Sequence, residues 1–287
     1  MYYILFNPKS NGDKGTQKAR ELEGILDKTD LIFRSVLEMK DYKAFVSSLK
    51  EEDKIVVVGG DGSLNHFIND IRDLNFSNEV YYFSAGTGND FLRDLELDTD
   101  QGPYNVDKYI KDLPRVIING KDSLFINGVG FGIDGYCCQM AEELHAAGVM
   151  DVNYTSIAVK GLLGKFKPRN ARVVVDGKEY NFKHVWIAAT MNGRYYGGGM
   201  DCAPAQDRLN PERKLSLVIF RGRSKLATLM VFPSIFKGEH VKHTKRVTVL
   251  EGYDIHVEFD VPCAIQVDGE TTLNVSSYDA KSAALKD

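Results

Sequence analysis

The stretch Ile55-Val56-Val57-Val58-Gly59-Gly60-Asp61-Gly62-Ser63-Leu64-Asn65 decides the fold of the first part of the chain. Four consecutive β-branched residues are typical of a parallel strand that is buried on both faces. The glycine-rich segment ends this strand, and Leu64, Phe67, Ile68 and Ile71 then follow at helical spacing. The stretch therefore predicts a buried strand, a tight turn and an amphipathic helix.

Similar patterns lie on both sides of this stretch. Short apolar runs at Tyr3–Phe6 and Val80–Phe83 predict further strands, and residues 19–26 and 42–49 carry apolar side chains at helical spacing. Strands joined by helical connections of this length form a parallel sheet. We therefore predict a Rossmann-like α/β domain over residues 1–120.

From about Ile117 the pattern changes to short strands of period two, separated by turns such as Asp176-Gly177. Helical patterns interrupt these strands at about 136–144 and 225–236. The fold class predicted for the whole chain is thus α/β, with a mostly antiparallel β-sandwich domain over residues 121–276. The tail, about 277–287, is a candidate to return to the first domain.

The composition is that of an ordinary globular protein. The chain has 287 residues, of which 43% are hydrophobic, with 36 Lys and Arg against 40 Asp and Glu. This apolar content excludes a disordered or collagen-like chain. The four cysteines have neither zinc-site nor disulfide-framework spacing, and no run of about 18 apolar residues occurs. We therefore expect a cytoplasmic protein with free thiols.

Three polar, glycine-containing loops follow three of the predicted parallel strands, at Asn7–Gly12, Gly59–Ser63 and Ser84–Phe91. The carboxyl ends of parallel strands lie at one edge of the sheet, where open α/β folds bind ligands. Glycines let backbone N–H groups approach an anion, and a helix N-terminus adds positive potential. Each loop alone is also consistent with a tight turn, but together they predict a nucleotide pocket.

Side chains in these loops suit phosphate chemistry. Lys9 could offset phosphate charge, and Asp61 and Asp90 could orient metal-bound water. The spacing of the second loop fits neither the Walker pattern GxxxxGK[ST] nor GxGxxG. The sequence therefore predicts a nucleotide site of another type.

These loops closely resemble the three nucleotide-site motifs of the diacylglycerol kinase catalytic-domain family, which includes soluble bacterial lipid kinases, eukaryotic diacylglycerol kinases and sphingosine kinases. The matching segments are Asn7–Gly12, Gly59–Asn65 and Gly86–Asp90. The similarity continues in the same order through Asn127–Gly135, Asn192–Met200 with Ala203-Pro204, and Gln266–Glu270. It covers nearly the whole chain.

The resemblance implies a two-domain kinase with ATP in a cleft and Mg²⁺ as its metal. The implied nucleotide-binding residues are Asn7, Lys9, Gly59, Gly60, Asp61, Gly62, Ser63, Asn65, Gly86, Thr87, Asn89 and Asp90. The implied catalytic residues are Asp268, Glu270 and Asp61. One carboxylate of the Asp268 and Glu270 pair would act as general base on the substrate hydroxyl. Read alone, Asp268-Gly269 would predict only a hairpin turn.

The chain departs from the family pattern in three places. Ser84 replaces the usual proline before the second nucleotide loop, and Ser63 replaces the threonine of GGDGT. Soluble bacterial members often carry an Asp-Gly-x-Leu-Asp stretch linked to a structural Mg²⁺, where this chain has Asp207–Ser216. That segment is longer than the family stretch, and it contains fewer carboxylates than a Mg²⁺ site usually provides. Its candidate metal ligands are Asp207, Asn210 and Leu215.

Basic residues are concentrated in the second part of the chain. Residues 152–175 carry five Lys and Arg without an acid, and residues 221–246 carry seven against Glu239 alone. Such segments contact phosphates or an anionic membrane surface, or are solvated. The apolar residues between 226 and 236 are consistent with core packing and with a membrane interface.

We therefore predict an ATP- and Mg²⁺-dependent lipid kinase that transfers the γ-phosphate to a lipid hydroxyl, with diacylglycerol as the default acceptor. The enzyme would dock transiently on a membrane surface, and no nucleic-acid partner is expected. One alternative is a kinase of a soluble hydroxyl such as that of NAD. The other is a catalytically weak nucleotide- or lipid-binding regulatory protein, to which the altered segment at 207–216 points.

Overall fold

The computed structural model divides the chain into two compact units, Met1–Asp112 and Leu113–Asp287. It describes residues 1–27, 30–74, 76–85, 89–149, 156–157, 160–161, 164 and 166–285. Within these residues, no helix is both long enough and apolar enough to cross a membrane.

The first unit is built on a five-stranded sheet. Its strands are β1 (Tyr2–Phe6), β2 (Leu31–Ser35), β3 (Lys54–Gly59), β4 (Glu79–Ser84) and β5 (Tyr104–Asn105). The strand order is β2-β1-β3-β4-β5, in which β5 is antiparallel to β4 and the other pairs are parallel. The chain passes outward from β1 to β2 and then crosses to β3 on the other side of β1. Ligands of open α/β sheets bind at such a reversal of strand order.

Helices connect these strands, as predicted. They are α1 (Ser10–Asp13), α2 (Gly15–Arg20), α3 (Tyr42–Ser48), α4 (Asp61–Ile71), α5 (Asp90–Asp94) and α6 (Asp107–Ile110). Helix α3 begins after Asp41 because its carboxylate accepts a hydrogen bond from the Ala44 amide at 2.9 Å. The apolar side chains of α4 that were predicted to face the core are buried, among them Leu64 and Phe67. The strand, turn and helix predicted from residues 55–71 are therefore confirmed.

The second unit is an antiparallel β structure. Its strands are β6 (Arg115–Ile118), β7 (Lys121–Leu124), β8 (Gly128–Gly132), β9 (Arg169–Val175), β10 (Lys178–Met191), β11 (Tyr195–Tyr196), β12 (Met200–Asp201), β13 (Leu215–Arg221), β14 (Val247–Gly252), β15 (Asp254–Val267) and β16 (Glu270–Lys281). The main sheet has the order β14-β13-β10-β8-β15-β16-β6-β7, and β9 pairs with both β10 and β15. The long strands β10 and β15 thus each pair with β8 and with β9, so strands surround one apolar core.

That core is aromatic and aliphatic. Phe131 stacks on Phe259 with ring centroids 4.7 Å apart, and Tyr278 lies against Phe131 at 5.4 Å. Tyr278 also shares a hydrogen bond of 2.9 Å with the buried Thr190 hydroxyl. In β9 the buried side chains alternate along the strand, at Ala171, Val173 and Val175, as the predicted period of two requires.

Helices α7 (Ile133–Ala146) and α8 (Lys225–Val231) accompany this sheet among the elements that the structure describes in full. The predicted helix over 136–144 lies inside α7. The prediction of one helix over 225–236 is wrong beyond Val231, where the chain continues as 3₁₀ turns at Phe232–Lys237 and Glu239–Lys242. Pro233 lacks the N–H that an α-helical hydrogen bond requires, which accounts for the change.

The two units divide at Asp112 and Leu113, a few residues before the predicted position near 120. The physical reason is that β6 pairs with β16, where Ile117 lies opposite Asp279. Strand β16 extends to Lys281, and the tail strand therefore belongs to the second unit. The predicted hairpin turn at Asp176-Gly177 is present, with positive φ at both residues.

Candidate functional site

The glycine-rich loop Gly59–Ser63 leads from β3 directly into α4. Gly60 is the N-cap residue of α4 and caps it without a side chain, and its carbonyl oxygen accepts hydrogen bonds from Ser63 and Leu64 at 3.0 and 3.3 Å. A Cβ at Gly59 would overlap Ser63, so only glycine fits there, whereas a Cβ at Gly60 would meet none of the described atoms within 4 Å. Gly60 is half-buried beside the first turn of α4, the kind of position at which backbone N–H groups bind anions.

Asp61 joins this loop to the next one. Its Oδ2 atom accepts hydrogen bonds from the backbone nitrogens of Asp90 at 2.8 Å and Phe91 at 3.3 Å, which are the first residues of α5. Asp61 and Asp90 are both buried. The Asp61 carboxylate therefore stabilises the start of α5. Sequence reasoning predicted a metal-directed role for Asp61 and did not predict this hydrogen bonding.

Tyr82, a residue of β4, contacts both of these loops through its hydroxyl group. It is completely buried, and its hydroxyl group donates a hydrogen bond to the Gly59 carbonyl oxygen at 2.9 Å. Burial, together with the nearby Asp61 carboxylate, raises the pKa of Tyr82 well above its usual value. The hydroxyl thus stays protonated as a donor. Sequence reasoning treated Tyr82 only as a strand residue.

In the loop Ser84–Phe91, the structure describes the residues on either side of 86–88. Asn89 donates a hydrogen bond from Nδ2 to Ser84 Oγ at 2.5 Å, and the Ala85 amide donates to the Gly59 carbonyl oxygen at 2.9 Å. Ser84, which replaces the proline of the family pattern, thus provides the acceptor that positions Asn89. The predicted binding residues Gly86 and Thr87 lie outside the described residues.

The first loop is held by Asn7. Its Oδ1 atom accepts the Lys9 amide at 3.0 Å, and its carbonyl oxygen accepts the Ser10 hydroxyl at 2.8 Å. A Cβ at Gly15 would overlap this carbonyl oxygen. The Lys9 side chain is exposed. Asn7 therefore shapes the loop after β1, which carries the exposed Lys9.

Gly62, Ser63 and Asn65 lie in the first turns of α4. Asn65 is buried and accepts a hydrogen bond from Asn69 Nδ2 at 3.1 Å, one turn further along the helix. Leu64 and Asn65 thus contribute to packing, while the backbone of Gly60, Asp61 and Gly62 forms the N-terminal end of the helix.

In the second unit, Asp268 lies in a two-residue hairpin turn between β15 and β16. Asp268 and Gly269 have φ values of 48° and 94°, and Val267 lies opposite Glu270. The hairpin prediction is therefore confirmed. The carboxylate of this aspartate is nevertheless buried, which a plain surface turn does not require.

The Asp268 carboxylate accepts three backbone hydrogen bonds. Its Oδ2 atom accepts from Ile126 at 2.6 Å, and its Oδ1 atom accepts from Asn127 at 2.8 Å and Gly128 at 3.0 Å. Charge-assisted hydrogen bonds of this kind are among the stronger ones in proteins. Asp268 therefore holds the segment before β8 against the hairpin turn. Glu270, two residues later, is exposed.

Two further segments of the second unit contact residues 126–128. The Asn192 side chain donates a hydrogen bond to the Ile126 carbonyl oxygen at 2.9 Å, and the Asn192 amide donates to the Asn127 carbonyl oxygen at 2.9 Å. Arg208, which is buried, donates from Nη2 to Asn127 Oδ1 at 3.0 Å. Arg208 was missed by sequence reasoning, because nothing in its neighbourhood marks it as buried.

The predicted ligands of a structural metal have other partners. Asp207 Oδ1 accepts the Leu209 amide at 2.8 Å, and Asn210 Nδ2 donates to the carbonyl oxygens of Asp207 and Lys214 at 2.7 and 3.1 Å. Leu215 is buried in β13. Among the described residues, no group of three or more His, Cys, Asp and Glu could hold a metal ion. Backbone amides occupy Asp207 Oδ1 and Asn210 Oδ1, the latter accepting from the Lys214 amide at 3.0 Å, so this segment does not fit a structural Mg²⁺.

Two family models match the chain. The diacylglycerol kinase catalytic domain matches residues 1–121. The YegS C-terminal NAD kinase beta sandwich-like domain matches residues 127–280, which is more than half of the chain. The two matches follow one another in the order of the two structural units.

Individual proteins are similar over most of the chain. "Putative lipid kinase YtlR" of Bacillus subtilis (strain 168) is 24% identical over 291 residues, covering 94% of this chain and 93% of that protein. "Diacylglycerol kinase" of Mycobacterium tuberculosis (strain ATCC 25618 / H37Rv) is 28% identical over 216 residues, covering 73% and 68%. A crystal structure described as diacylglycerol kinases from Bacillus anthracis str. Sterne has a TM-score of 0.65 at 20% identity, covering 99% and 95% of the two chains. This last likeness confirms the fold.

Proposed function

Because the chain belongs to the diacylglycerol kinase family, we propose that it transfers the γ-phosphate of ATP to the hydroxyl group of a lipid alcohol. The family makes the chain a phosphotransferase with a hydroxyl acceptor. The proposal adds a lipid as acceptor and Mg²⁺ as the metal bound with the nucleotide. Diacylglycerol is the default acceptor, since similar proteins are named as diacylglycerol or lipid kinases.

The open space beside Gly60 carries this proposal. A Cβ there meets no atom of the described residues within 4 Å, although Gly60 lies between a buried strand and a helix. The first N–H groups of α4 have no acceptors within the helix. A phosphate group beside Gly60 would provide them and would benefit from the positive end of the helix dipole. We therefore assign phosphate binding to the backbone of Gly60, Asp61 and Gly62.

Glu270 is the residue we propose as general base. It is exposed at the start of β16, whereas both oxygens of Asp268 accept backbone hydrogen bonds. Phosphoryl transfer to an alcohol requires a carboxylate that can reach the hydroxyl proton. Asp268 would then be a positioning residue, which fixes the hairpin turn that presents Glu270.

In the proposed reaction, the acceptor hydroxyl gives its proton to the Glu270 carboxylate as its oxygen bonds to the γ-phosphorus. The bond between the γ-phosphorus and the bridging oxygen breaks, and ADP leaves. Mg²⁺ bound to the nucleotide would neutralise charge that develops on the phosphate oxygens. The protein contributes the phosphate-binding backbone and the base.

The decisive test is transfer of labelled γ-phosphate from ATP with Mg²⁺ to a total lipid extract in mixed micelles. Reactions with Glu270→Gln and with NAD as a soluble acceptor run in parallel. A labelled lipid formed only by the unchanged protein is the expected result, and chromatography of the product identifies the acceptor class.

The two alternatives give different results in the same assay. Label on NAD alone would assign the protein to the kinases of soluble hydroxyls. Measurable ATP binding without transfer to any lipid or to NAD would favour a regulatory protein. Either result would overturn the proposed lipid kinase.

A further inference from the structure

Helix α8 and the 3₁₀ turn after it bury one face and expose another. Phe232 and Ile235 are buried in a second apolar cluster of this unit, together with Trp186 and Phe220. On the outward side, Leu226 is 69% exposed and Met230 is 76% exposed, one helical turn apart. The core contacts explain the inward residues only. Two large apolar side chains therefore project into solvent side by side, as Phe236 also does in part.

Cations surround these apolar side chains in the sequence. Residues 221–246 contain seven Lys and Arg and one acid, Glu239, although the whole chain has a net charge of −4. Glu239 pairs with Lys242 at 3.1 Å. The side chains of Arg223, Lys237, Lys242 and Lys245 are exposed. This segment is thus strongly positive within a negative chain.

We propose that this surface docks the enzyme on an anionic lipid bilayer. The docking face consists of the exposed apolar residues Leu226, Met230 and Phe236 and the exposed basic residues Arg223, Lys237, Lys242 and Lys245. Apolar side chains on one side of a helix enter the boundary between headgroups and acyl chains, and neighbouring Lys and Arg are attracted to anionic headgroups. The inference rests on the proposed function, because a lipid acceptor has to be reached at a membrane.

Charge complementarity favours a bilayer over a second copy of the chain. Two copies meeting through this face would bring two clusters of positive charge together, which is unfavourable. An anionic bilayer neutralises the same charges. We therefore expect binding to depend on anionic lipid and to weaken as salt increases.

The test is sedimentation of the full chain with vesicles of phosphatidylcholine alone or mixed with phosphatidylglycerol. The apolar variant is Leu226→Gln/Met230→Gln, and its control is Ile25→Gln/Leu37→Gln, at two exposed apolar residues of the first unit. The basic variant is Lys237→Glu/Lys245→Glu, and its control is Lys43→Glu/Lys121→Glu, with the same change in net charge. We expect at least about tenfold weaker binding to anionic vesicles for each docking-face variant.

The controls should bind like the unchanged protein, and thermal unfolding should show that every variant is folded. Equal vesicle binding by a docking-face variant and its control would overturn the proposal. So would a dimer in light scattering that the apolar variant dissociates.

Kinase activity separates this inference from the proposed function. The ratio of activity on vesicles to activity on acceptor dispersed in detergent micelles should fall in the docking-face variants. If the unchanged protein has no activity on acceptor in detergent micelles, the proposed lipid kinase function is refuted. Normal micelle activity with an unaltered ratio would refute only the docking face.

A second, independent observation concerns the segment Gln206–Ser216, where the chain departs from its family. The buried Gln206 donates from Nε2 to the carbonyl oxygens of Lys214 at 3.0 Å and Asn192 at 3.3 Å. Its Oε1 atom accepts the Ser216 hydroxyl at 2.6 Å. Asn210 donates to the same Lys214 oxygen at 3.1 Å. Two carboxamides thus join the carbonyl oxygens of Lys214 and Asn192, which lie in separate parts of the chain.

The geometry points to a segment that is held together by hydrogen bonds from Gln206 and Asn210 in place of a structural cation. A hard cation binds oxygen atoms. Here the carbonyl oxygens of Lys214 and Asn192 accept hydrogen bonds from side-chain amide groups. The amide N–H groups provide the partial positive charge that a cation would otherwise provide. The closure also positions Asn192, which contacts Ile126 beside the Asp268 hydrogen bonds. We therefore infer that the fold of the second unit is independent of divalent cations.

Thermal unfolding without nucleotide tests this inference. The melting temperature of the unchanged protein should be the same in EDTA and in Mg²⁺ or Ca²⁺, and metal analysis should find no tightly bound cation. In Gln206→Glu, a carboxylate would face two carbonyl oxygens. Its melting temperature should fall in EDTA and recover in part with a divalent cation.

The control is Gln17→Glu, at an exposed glutamine of α2, which should respond to cations like the unchanged protein. Loss of stability of the unchanged protein in EDTA would overturn the inference. A Gln206→Glu protein with unchanged stability in EDTA would overturn the role of Gln206.

Discussion

Asp268 and Ile126 are 142 residues apart in the sequence, yet Asp268 Oδ2 accepts a hydrogen bond from the Ile126 backbone nitrogen at 2.6 Å. Together with the hydrogen bonds from Asn127 and Gly128, this contact fixes the hairpin turn that carries Glu270. Asp268 in the turn and Glu270 at the start of β16 thus have different environments, since Asp268 is buried and Glu270 is exposed. Different effects of substitution follow from this difference.

Asp268→Asn should reduce both stability and turnover. The amide NH₂ group would face at least one backbone N–H, and a buried donor without an acceptor costs about 1–3 kcal/mol. We expect a lower melting temperature and a loss of turnover, since the turn would no longer hold Glu270. Unfolding and steady-state kinetics check this. Loss of turnover at full stability would instead favour a direct catalytic role for Asp268.

Glu270→Gln should abolish turnover without affecting the fold. Removal of a general base typically lowers the rate by roughly 10²–10⁴-fold. Because Glu270 is exposed, the melting temperature and the affinity for ATP should stay unchanged. Glu251→Gln, at an exposed position of β14, is the matched control. Normal turnover of Glu270→Gln would remove this residue from the base role.

Gly60→Val should weaken nucleotide binding at constant stability. A side chain at Gly60 has open space in the free protein, but it would occupy the space proposed for phosphate oxygens. We expect at least about tenfold lower ATP affinity in calorimetry, by loss of the helix N-terminal contacts. Gly24→Val, where a side chain also has open space, should bind ATP normally. Undiminished ATP affinity of Gly60→Val would refute the placement of the phosphates.

Gly59 should respond differently to substitution. Because a Cβ at Gly59 would overlap Ser63, Gly59→Ala should lower the melting temperature, and Gly59→Ala/Ser63→Gly should restore part of it. The comparison of Gly59 with Gly60 separates packing of the loop from ligand binding. Equal stability of Gly59→Ala and Gly60→Val would contradict this distinction.

His240 should make stability depend on pH. It is completely buried, with Nε2 2.9 Å from the Cys202 carbonyl oxygen, and burial lowers the pKa of His240 although Cys202 and Asp201 oppose this. The unfolded histidine, with a pKa of about 6.5, therefore binds a proton first as the pH falls. Stability is retained above that value and is lost as the pH decreases below it.

Melting temperatures measured from about pH 7.5 to about pH 5.5 check this effect, in the range where histidine titrates. The decrease should be smaller in His240→Gln than in the unchanged protein. His243→Gln, at an exposed position, should retain most of the decrease, because burial is the main cause of the lowered pKa of His240 and the nearby His243 adds less to it. Identical pH profiles for the unchanged protein and His240→Gln would contradict it.

Local patterns in the sequence were sufficient for the architecture. The run Ile55–Val58 predicted a buried parallel strand, and the alternation after Ile117 predicted antiparallel strands, because side-chain burial in a strand repeats over two residues. The hairpin at Asp268-Gly269 followed from the preference of this dipeptide for positive φ. The helix end at Val231 was missed, although Pro233 was the available signal.

The sequence by itself thus determined the order of strands and helices, the loops at the edge of the parallel sheet and the identity of the candidate acidic residues. The tertiary structure decided what those residues contact. Asp61 stabilises α5, Asp268 accepts three amides from residues 126–128, and Gln206 joins Lys214 to Asn192. The physical reason is that propensity and periodicity act over a few residues, whereas a buried polar group takes whichever partner the packed chain places beside it.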